Sequence, residues 1–126
     1  MRLLLDTHVV LWWLSDSERL TPRMRESISD TTNDVWVSAM TIAEIAIKQS
    51  VGKLQLSQAW PDAIDASGFE SLPLTSRHAR LLGTLPWHHR DPFDRMLIAQ
   101  ATAEGLTLMS ADPAITLYDV RVFDGS

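Results

Sequence analysis

Short apolar runs alternate along this chain with longer stretches in which apolar residues recur at helical spacing. The runs Leu3–Leu5, Val35–Val37, Glu70–Leu72, Leu106–Met109 and Arg121–Phe123 read as strands. Helices are predicted near His8–Leu14, Pro22–Ser29, Thr41–Ser50, Trp60–Ala66, Ser76–Leu82 and Pro92–Glu104. Strands that alternate with helices of this length imply crossover connections. The predicted class is therefore α/β, with a parallel central sheet flanked by helices on both faces. No repeat, low-complexity tract or linker interrupts the pattern, so residues 1–126 are expected to form one domain with one core.

In open parallel sheets, ligands sit outside the carboxyl ends of the strands. The residues leaving the predicted strand ends are therefore of interest. Asp6 follows Leu3–Leu5. Ser38 follows Val35–Val37, with Glu44 further along in the next helix. Ser110 and Asp112 follow Leu106–Met109, and Asp94 lies in the first turn of "PFDRMLIAQATAEG". These acids are distant in sequence, and the fold would gather them at one edge.

Each acid also has a plainer reading. Thr41-Ile-Ala-Glu44 has the form of a capping box, with Thr41 as N-cap and Glu44 reaching back. Asp91-Pro92-Phe93-Asp94 resembles the same device, with Pro92 at the favoured first helical position. Asp112, before Pro113, is suited to opening a turn. Taken singly, Glu44, Asp91 and Asp112 are simplest as caps. Asp6 fits this reading less well, because Thr7 is the better N-cap for the helix near His8. Capping does not explain why several carboxylates should converge. Neighbouring carboxylates repel and raise one another's pKa unless a cation lies among them. For an all-oxygen site that cation is Mg²⁺, with Mn²⁺ able to substitute.

Composition narrows the chemistry. The chain has no cysteine, which excludes a disulfide, a thiolate zinc site and a catalytic thiol. Asp6 and His8 interrupt the apolar N-terminal stretch, so neither a membrane span nor a signal peptide is expected, and a cytoplasmic location is the default. The net charge of −5 argues against non-specific nucleic-acid binding. Residues 77–95 nonetheless carry Arg77, Arg80, Arg90 and Arg95 with His78, His88 and His89, enough for a local basic face.

Three segments, "LLLDTH", "VSAMTIAEIAIKQSVGKLQL" and "HHRDPFDRMLIAQATAEGLTLMSAD", resemble in order the signature segments of PIN-domain ribonucleases. The likeness is greatest to the VapC-type toxins of bacterial toxin–antitoxin pairs and runs from Leu3 to about Ala114. It implies a Mg²⁺-dependent endoribonuclease whose metal-binding acids fall on Asp6, Glu44, Asp94 and the more variable Asp112. It also implies supporting hydroxyls at Thr7, Ser38, Thr41 and Ser110. Many PIN domains have Asn where this chain has His8, although the Asp-Thr-His form recurs in the VapC-like branch. Asp91 is assigned to the loop and its cap before any metal.

A carboxylate-held metal would acidify a water and neutralise charge on the phosphate. The products implied are a 5′-phosphate and a 3′-hydroxyl, so RNA selectivity would come from binding single-stranded or looped RNA. Lys48, Arg90 and Arg95 are candidate phosphate contacts, each with solvated surface charge as its plainer reading. His88 and His89 suggest acid–base catalysis that would survive chelation, but their loop is not expected at a strand end.

The stretch "VVLWWL" is apolar on every side, as in a helix buried all round. The resemblance implies a homodimer and a cognate antitoxin, and Trp12 and Trp13 are the candidate interface residues. Two other readings compete with the nuclease. One is a catalytically idle PIN fold that serves as an RNA- or protein-binding scaffold. The other is a phosphotransfer enzyme with Asp6 as nucleophile, which would want a second Asp where His8 stands.

Overall fold

The computed structural model describes residues 1–126. In chain order the elements are β1 (Arg2–Leu5), α1 (Thr7–Leu14), α2 (Pro22–Ser29), β2 (Asp34–Ser38), α3 (Ala39–Ser50), α4 (Trp60–Ala66), β3 (Glu70–Leu72), α5 (Ser76–Leu81), α6 (Pro92–Glu104), β4 (Thr107–Met109) and β5 (Val122–Phe123). Short 3₁₀ turns follow α5 at Leu82–Thr84 and β4 at Pro113–Leu117. The five strands form one sheet in the order β3-β2-β1-β4-β5, and every pairing is parallel. This is the predicted α/β architecture.

Alternation along β1 divides the core into two layers. Leu3 and Leu5 face a cluster with Val9, Val10, Met24, Ile28 and Ile45, contributed by α1, α2 and α3. Leu4 points the other way, into a cluster with Leu97, Ile98, Ala101 and Leu108. All three leucines are fully buried, as the central strand of a sheet covered on both faces requires. Helix α6 buries every residue from Asp94 to Ala101, and Gly105 closes it in the left-handed conformation that favours glycine.

The strand order places a switch point beside β1. From β1 the chain winds outward through β2 to β3, then returns to add β4 and β5 on the opposite side. Asp6 leaves the carboxyl end of β1, and Ser110 leaves that of β4, its neighbour in the sheet. Such a point opens a crevice at the sheet edge.

Two predicted helix starts are corrected. Helix α1 is capped by Asp6, whose side chain accepts from the His8 N–H at 2.7 Å, and Thr7 lies inside the helix. Helix α3 begins at Ala39 with Ser38 as its cap, so Thr41 and Glu44 form no capping box. Ser38 outcompetes Thr41 because the strand runs directly into the helix without a loop. Thr41 instead shares a hydrogen bond with Thr7, 3.1 Å between their hydroxyl oxygens, which ties α1 to α3. The predicted box at Asp91 is half formed. Asp91 accepts from the N–H groups of Phe93 and Asp94, but the Asp91 N–H turns to His89 Nδ1 rather than to Asp94.

A buried polar chain fixes α6 against the sheet. Ser38 Oγ accepts from the Met40 N–H at 3.0 Å and donates to Gln100 Oε1 at 2.5 Å. Gln100 Nε2 reaches the Pro73 carbonyl, and the neighbouring His78 bonds Glu104 at 2.8 Å through Nε2. His78 is therefore a buried structural residue, not part of a basic face. Ser38→Ala removes a helix cap and leaves Gln100 Oε1 unpartnered. Denaturant unfolding of this variant is expected to show a loss of about 1–3 kcal/mol.

Candidate metal centre

Each carboxylate is aimed by a local device. Asp6 is 2% exposed at the end of β1. One of its oxygens accepts the His8 N–H that caps α1, and the other accepts from Ser110 Oγ at 2.5 Å, across the switch point. Ser110 Oγ also accepts from the Asp112 N–H at 3.1 Å, so one hydroxyl orients both strand ends. Asp112 caps the following 3₁₀ turn through Oδ1 and turns Oδ2 toward the site, where it meets His89 Nε2. Asp94 is held in the first turn of α6, which Asp91 caps. Glu44 projects from α3, 2% exposed, with Oε2 bonded to Lys48 Nζ at 2.6 Å.

These groups act on one another electrostatically. Burial pushes the Asp94 carboxyl from 3.8 up to about 7, with the negative charges of Asp6, Asp91 and Glu44 adding to the effect and His89 opposing it. Burial also pushes Asp6 upward, but hydrogen bonds from His8 and Ser110 outweigh it and hold this carboxyl below its ordinary value. His8 is raised, chiefly by its hydrogen bond to Asp6. The two acids are thus driven apart: Asp6 is ionised, and Asp94 is poised near neutrality.

Two buried side-chain atoms lack any partner, Trp36 Nε1 and Glu44 Oε1, and only the second is a carboxylate of the site. Glu44 Oε1 is sequestered from water without a hydrogen-bond donor, an arrangement that is costly unless something else satisfies it. A divalent cation would satisfy it, and a donor set of hard oxygens suits Mg²⁺ or Mn²⁺. Asp6, Glu44, Asp94 and Asp112 are the residues that would hold such an ion.

His89 was not expected at the site. Its Nε2 lies 3.1 Å from Asp94 Oδ2 and 2.8 Å from Asp112 Oδ2, and all three ligand atoms lie within 4.8 Å of one another. Nδ1 accepts the Asp91 N–H, so in the neutral ring Nε2 carries the proton and donates it between the two carboxylates. The loop holding His89 departs from no strand, which is why strand-end reasoning overlooked it. A Tyr118 hydroxyl, 2.9 Å from the His89 N–H, and Arg95 fold it back over the sheet edge. His88 packs its ring edge-on to Tyr118 instead of entering the site.

The other predicted residues are disposed as follows. Arg95 is corrected: it is 4% exposed, and its guanidinium donates to the carbonyls of Leu82, Leu85, Pro86 and His89 and to the Tyr118 hydroxyl. It organises the loop and is not available to a phosphate. Arg90 is exposed. Lys48 is engaged by Glu44 and reaches solvent only in part. Thr7 and Thr41 support α1 and α3 behind the acids. Trp13 packs within the chain, donating to Ser67 Oγ at 3.0 Å and lying against Phe69. Trp12 lines a recess with Asp6, His8, Ala111 and Asp112, at the mouth of the acidic crevice. Helix α1 is not buried all round, since Leu11 to Leu14 are only partly covered and His8 is exposed.

Removal of metal and pH should be linked through these groups. Between about pH 4 and pH 7 the folded chain retains a proton at Asp94 that the unfolded chain has lost, so rising pH through this window destabilises the metal-free protein. His8 acts in the same direction, because its raised value favours folding below about pH 6.5 and the gain fades above it. Asp6 contributes in the opposite sense only below about pH 4. The expected result is a lower Tm at pH 8 than at pH 5 in EDTA, and a larger rise in Tm on adding Mg²⁺ at pH 8. A Tm gain independent of pH would refute this coupling.

Comparison with known proteins bears on the whole chain. The sequence pattern of the PIN domain matches residues 3–121. Ribonuclease VapC22 of Mycobacterium tuberculosis is 27% identical over 113 residues, which span 86% of this chain and 85% of that protein. Among solved structures, VapBC2 from Rickettsia felis, bound to a promoter DNA fragment, superposes with a TM-score of 0.74 at 15% identity and covers 98% of each chain. DNA-bound VapBC from Salmonella typhimurium gives 0.71 at 16% identity, over 100% of this chain and 99% of that one. At these identities the solved structures speak for the fold.

Proposed function

This chain belongs to the PIN domain family, and on that premise we propose that it is a Mg²⁺-dependent endoribonuclease, the toxin of a toxin–antitoxin pair. The observation that carries the reading is the buried carboxylate cluster at the switch point, with Glu44 Oε1 unsatisfied and Asp94 raised to about 7. Such a cluster is unfavourable for a purely structural edge and suits a divalent ion. The similarity to a protein named as a ribonuclease supports the substrate class.

In this proposal Asp6, Glu44, Asp94 and Asp112 hold Mg²⁺, or Mn²⁺ in its place. The ion supplies charge neutralisation at the phosphate and acidifies the attacking water. Ser110 fixes the Asp6 carboxylate, so that its geometry is set before substrate arrives. His89 holds a proton at Nε2 between Asp94 and Asp112 and offsets their repulsion in the metal-free chain. Lys48 does the same for Glu44. Arg90 is the exposed cation on the loop leading to Asp94 and the residue best placed for a phosphate. The partners proposed are RNA, a cognate antitoxin and a second copy of the chain, in the cytoplasm. Trp12 at the crevice mouth is the proposed antitoxin contact. No helix is long and apolar enough to cross a membrane.

A phosphotransfer role for Asp6 is the weaker reading. Both of its oxygens already accept hydrogen bonds, which blunts them as nucleophiles.

Purified protein incubated with total cellular RNA tests the proposal. Discrete cleavage is expected with Mg²⁺ or Mn²⁺ and none with EDTA. Asp6→Asn and Asp94→Asn are each expected to lose activity by on the order of 100-fold or more. Cleavage that persists in EDTA would transfer the chemistry to His89. RNA binding without cleavage, unchanged in Asp6→Asn, would mark the fold as an idle scaffold.

A further inference from the structure

Trp87 is 76% exposed, more than any other large apolar side chain of the molecule. One face of its ring is nevertheless covered. The Arg95 guanidinium lies 3.9 Å from the centre of its ring. Arg95 is in turn fixed by its bonds to the Leu82, Leu85 and Pro86 carbonyls and the Tyr118 hydroxyl. The indole is therefore held in place on one side by a buried planar cation while much of its surface meets water. Leu82, Trp87, Arg90, Pro92 and Arg95 enclose a shallow recess of about 320 Å³.

Neither Arg90 nor Arg95 forms an ion pair, whereas the chain as a whole carries a net charge of −5. An exposed aromatic with one guanidinium on its face and a second beside it suits a flat, electron-rich group attached to an anion. The position fits as well. The loop that presents Trp87 presents His89 two residues later, a backbone span of at most about 7 Å. Arg95, beneath the ring, directly follows Asp94 in α6.

We propose that Trp87, backed by Arg95 and flanked by Arg90, is a stacking platform for one unpaired nucleobase of a single-stranded RNA whose neighbouring phosphate enters the carboxylate site. This rests on the ribonuclease reading and adds a binding subsite to it. Stacking of a base on an exposed aromatic is sequence-tolerant and contributes substantially to single-strand affinity. Because the ring already rests on the Arg95 guanidinium, part of its rotamer freedom is lost before binding. Arg90 supplies the phosphate contact, and Arg95 is a positioning residue that touches no RNA. A protein partner would also use Trp and Arg, but the two unpaired cations favour an anion.

Fluorescence anisotropy with a short fluorescein-labelled single-stranded RNA of mixed sequence, in Ca²⁺ in place of Mg²⁺, tests this. Trp87→Ala is expected to bind about 10-fold more weakly, and Trp87→Phe to retain most of the affinity. Arg90→Ala is expected to weaken binding and to reduce the slope of log affinity against log salt by about one. A double-stranded RNA of the same sequence should not distinguish Trp87→Ala from the parent. Circular dichroism and Tm check that the exposed substitution leaves the fold intact. If the parent cleaves RNA in Mg²⁺ and Trp87→Ala binds equally well, the stacking platform is overturned while the nuclease reading stands. If Trp87→Ala changes only self-association, measured by sedimentation, the surface is an interface between copies and the inference fails. If the parent neither binds nor cleaves RNA, both readings fail together.

Discussion

Buried like charges repel, and the carboxyl edge of this sheet brings Asp6, Glu44 and Asp94 within reach of one another's fields. Much of the local architecture serves to keep that arrangement folded. Asp6 is stabilised as an anion by the His8 N–H and Ser110 hydroxyl, while Asp94 absorbs the conflict by keeping its proton up to about pH 7. Glu44 takes a cation from its own helix, Lys48, at 2.6 Å. Asp94 and Asp112 share the His89 N–H. Lys48, with its charge, and His89, with its N–H, thus occupy carboxylate oxygens that a metal ion would bind, and an ion entering the site would compete with them.

The same residues serve two purposes. Asp6 begins α1, Asp91 begins α6 and Asp112 begins the turn after β4, each by accepting backbone N–H groups. A cap fixes the rotamer of the residue that forms it. Asp6 and Asp112 therefore offer one oxygen to the backbone and the other to the site. Asp91 spends both of its observed bonds on the first turn of α6, and its part in the site is to aim Asp94 and raise its pKa.

The sheet, its parallel sense and most helix bounds were legible in the sequence because period and run length report burial directly. Glu70–Leu72 and Pro92–Glu104 match the observed elements residue for residue. The gathering of acids at strand ends was legible for the same reason, since topology places those ends together. Cap identity was not legible at α1 and α3. Asp6, Thr7, Ser38 and Thr41 are all competent N-caps, and only the run of strand straight into helix selects Asp6 and Ser38. His89 and Arg95 were misread because loop side chains are placed by long-range contacts. Tyr118, far along the chain, draws His89 inward, and carbonyls of a turn internalise Arg95. A buried arginine with only carbonyl and hydroxyl partners leaves no pattern in sequence that distinguishes it from a surface cation.

The switch point also orders events in time. Asp6 and Ser110 are 104 residues apart, yet their 2.5 Å bond is what sets the first carboxylate. β1 comes before β2 and β3 in the chain, and its partner β4 comes after both. During synthesis a chain that has reached α5 holds Asp6 and Glu44 but lacks Asp94, His89 and the whole of β4. Contacts of such long sequence separation also close late in folding, because the loop entropy must be overcome first. The carboxylate centre is therefore absent from any nascent chain that has not yet reached β4. A protein with this strand order assembles its carboxylate edge late, by topology alone.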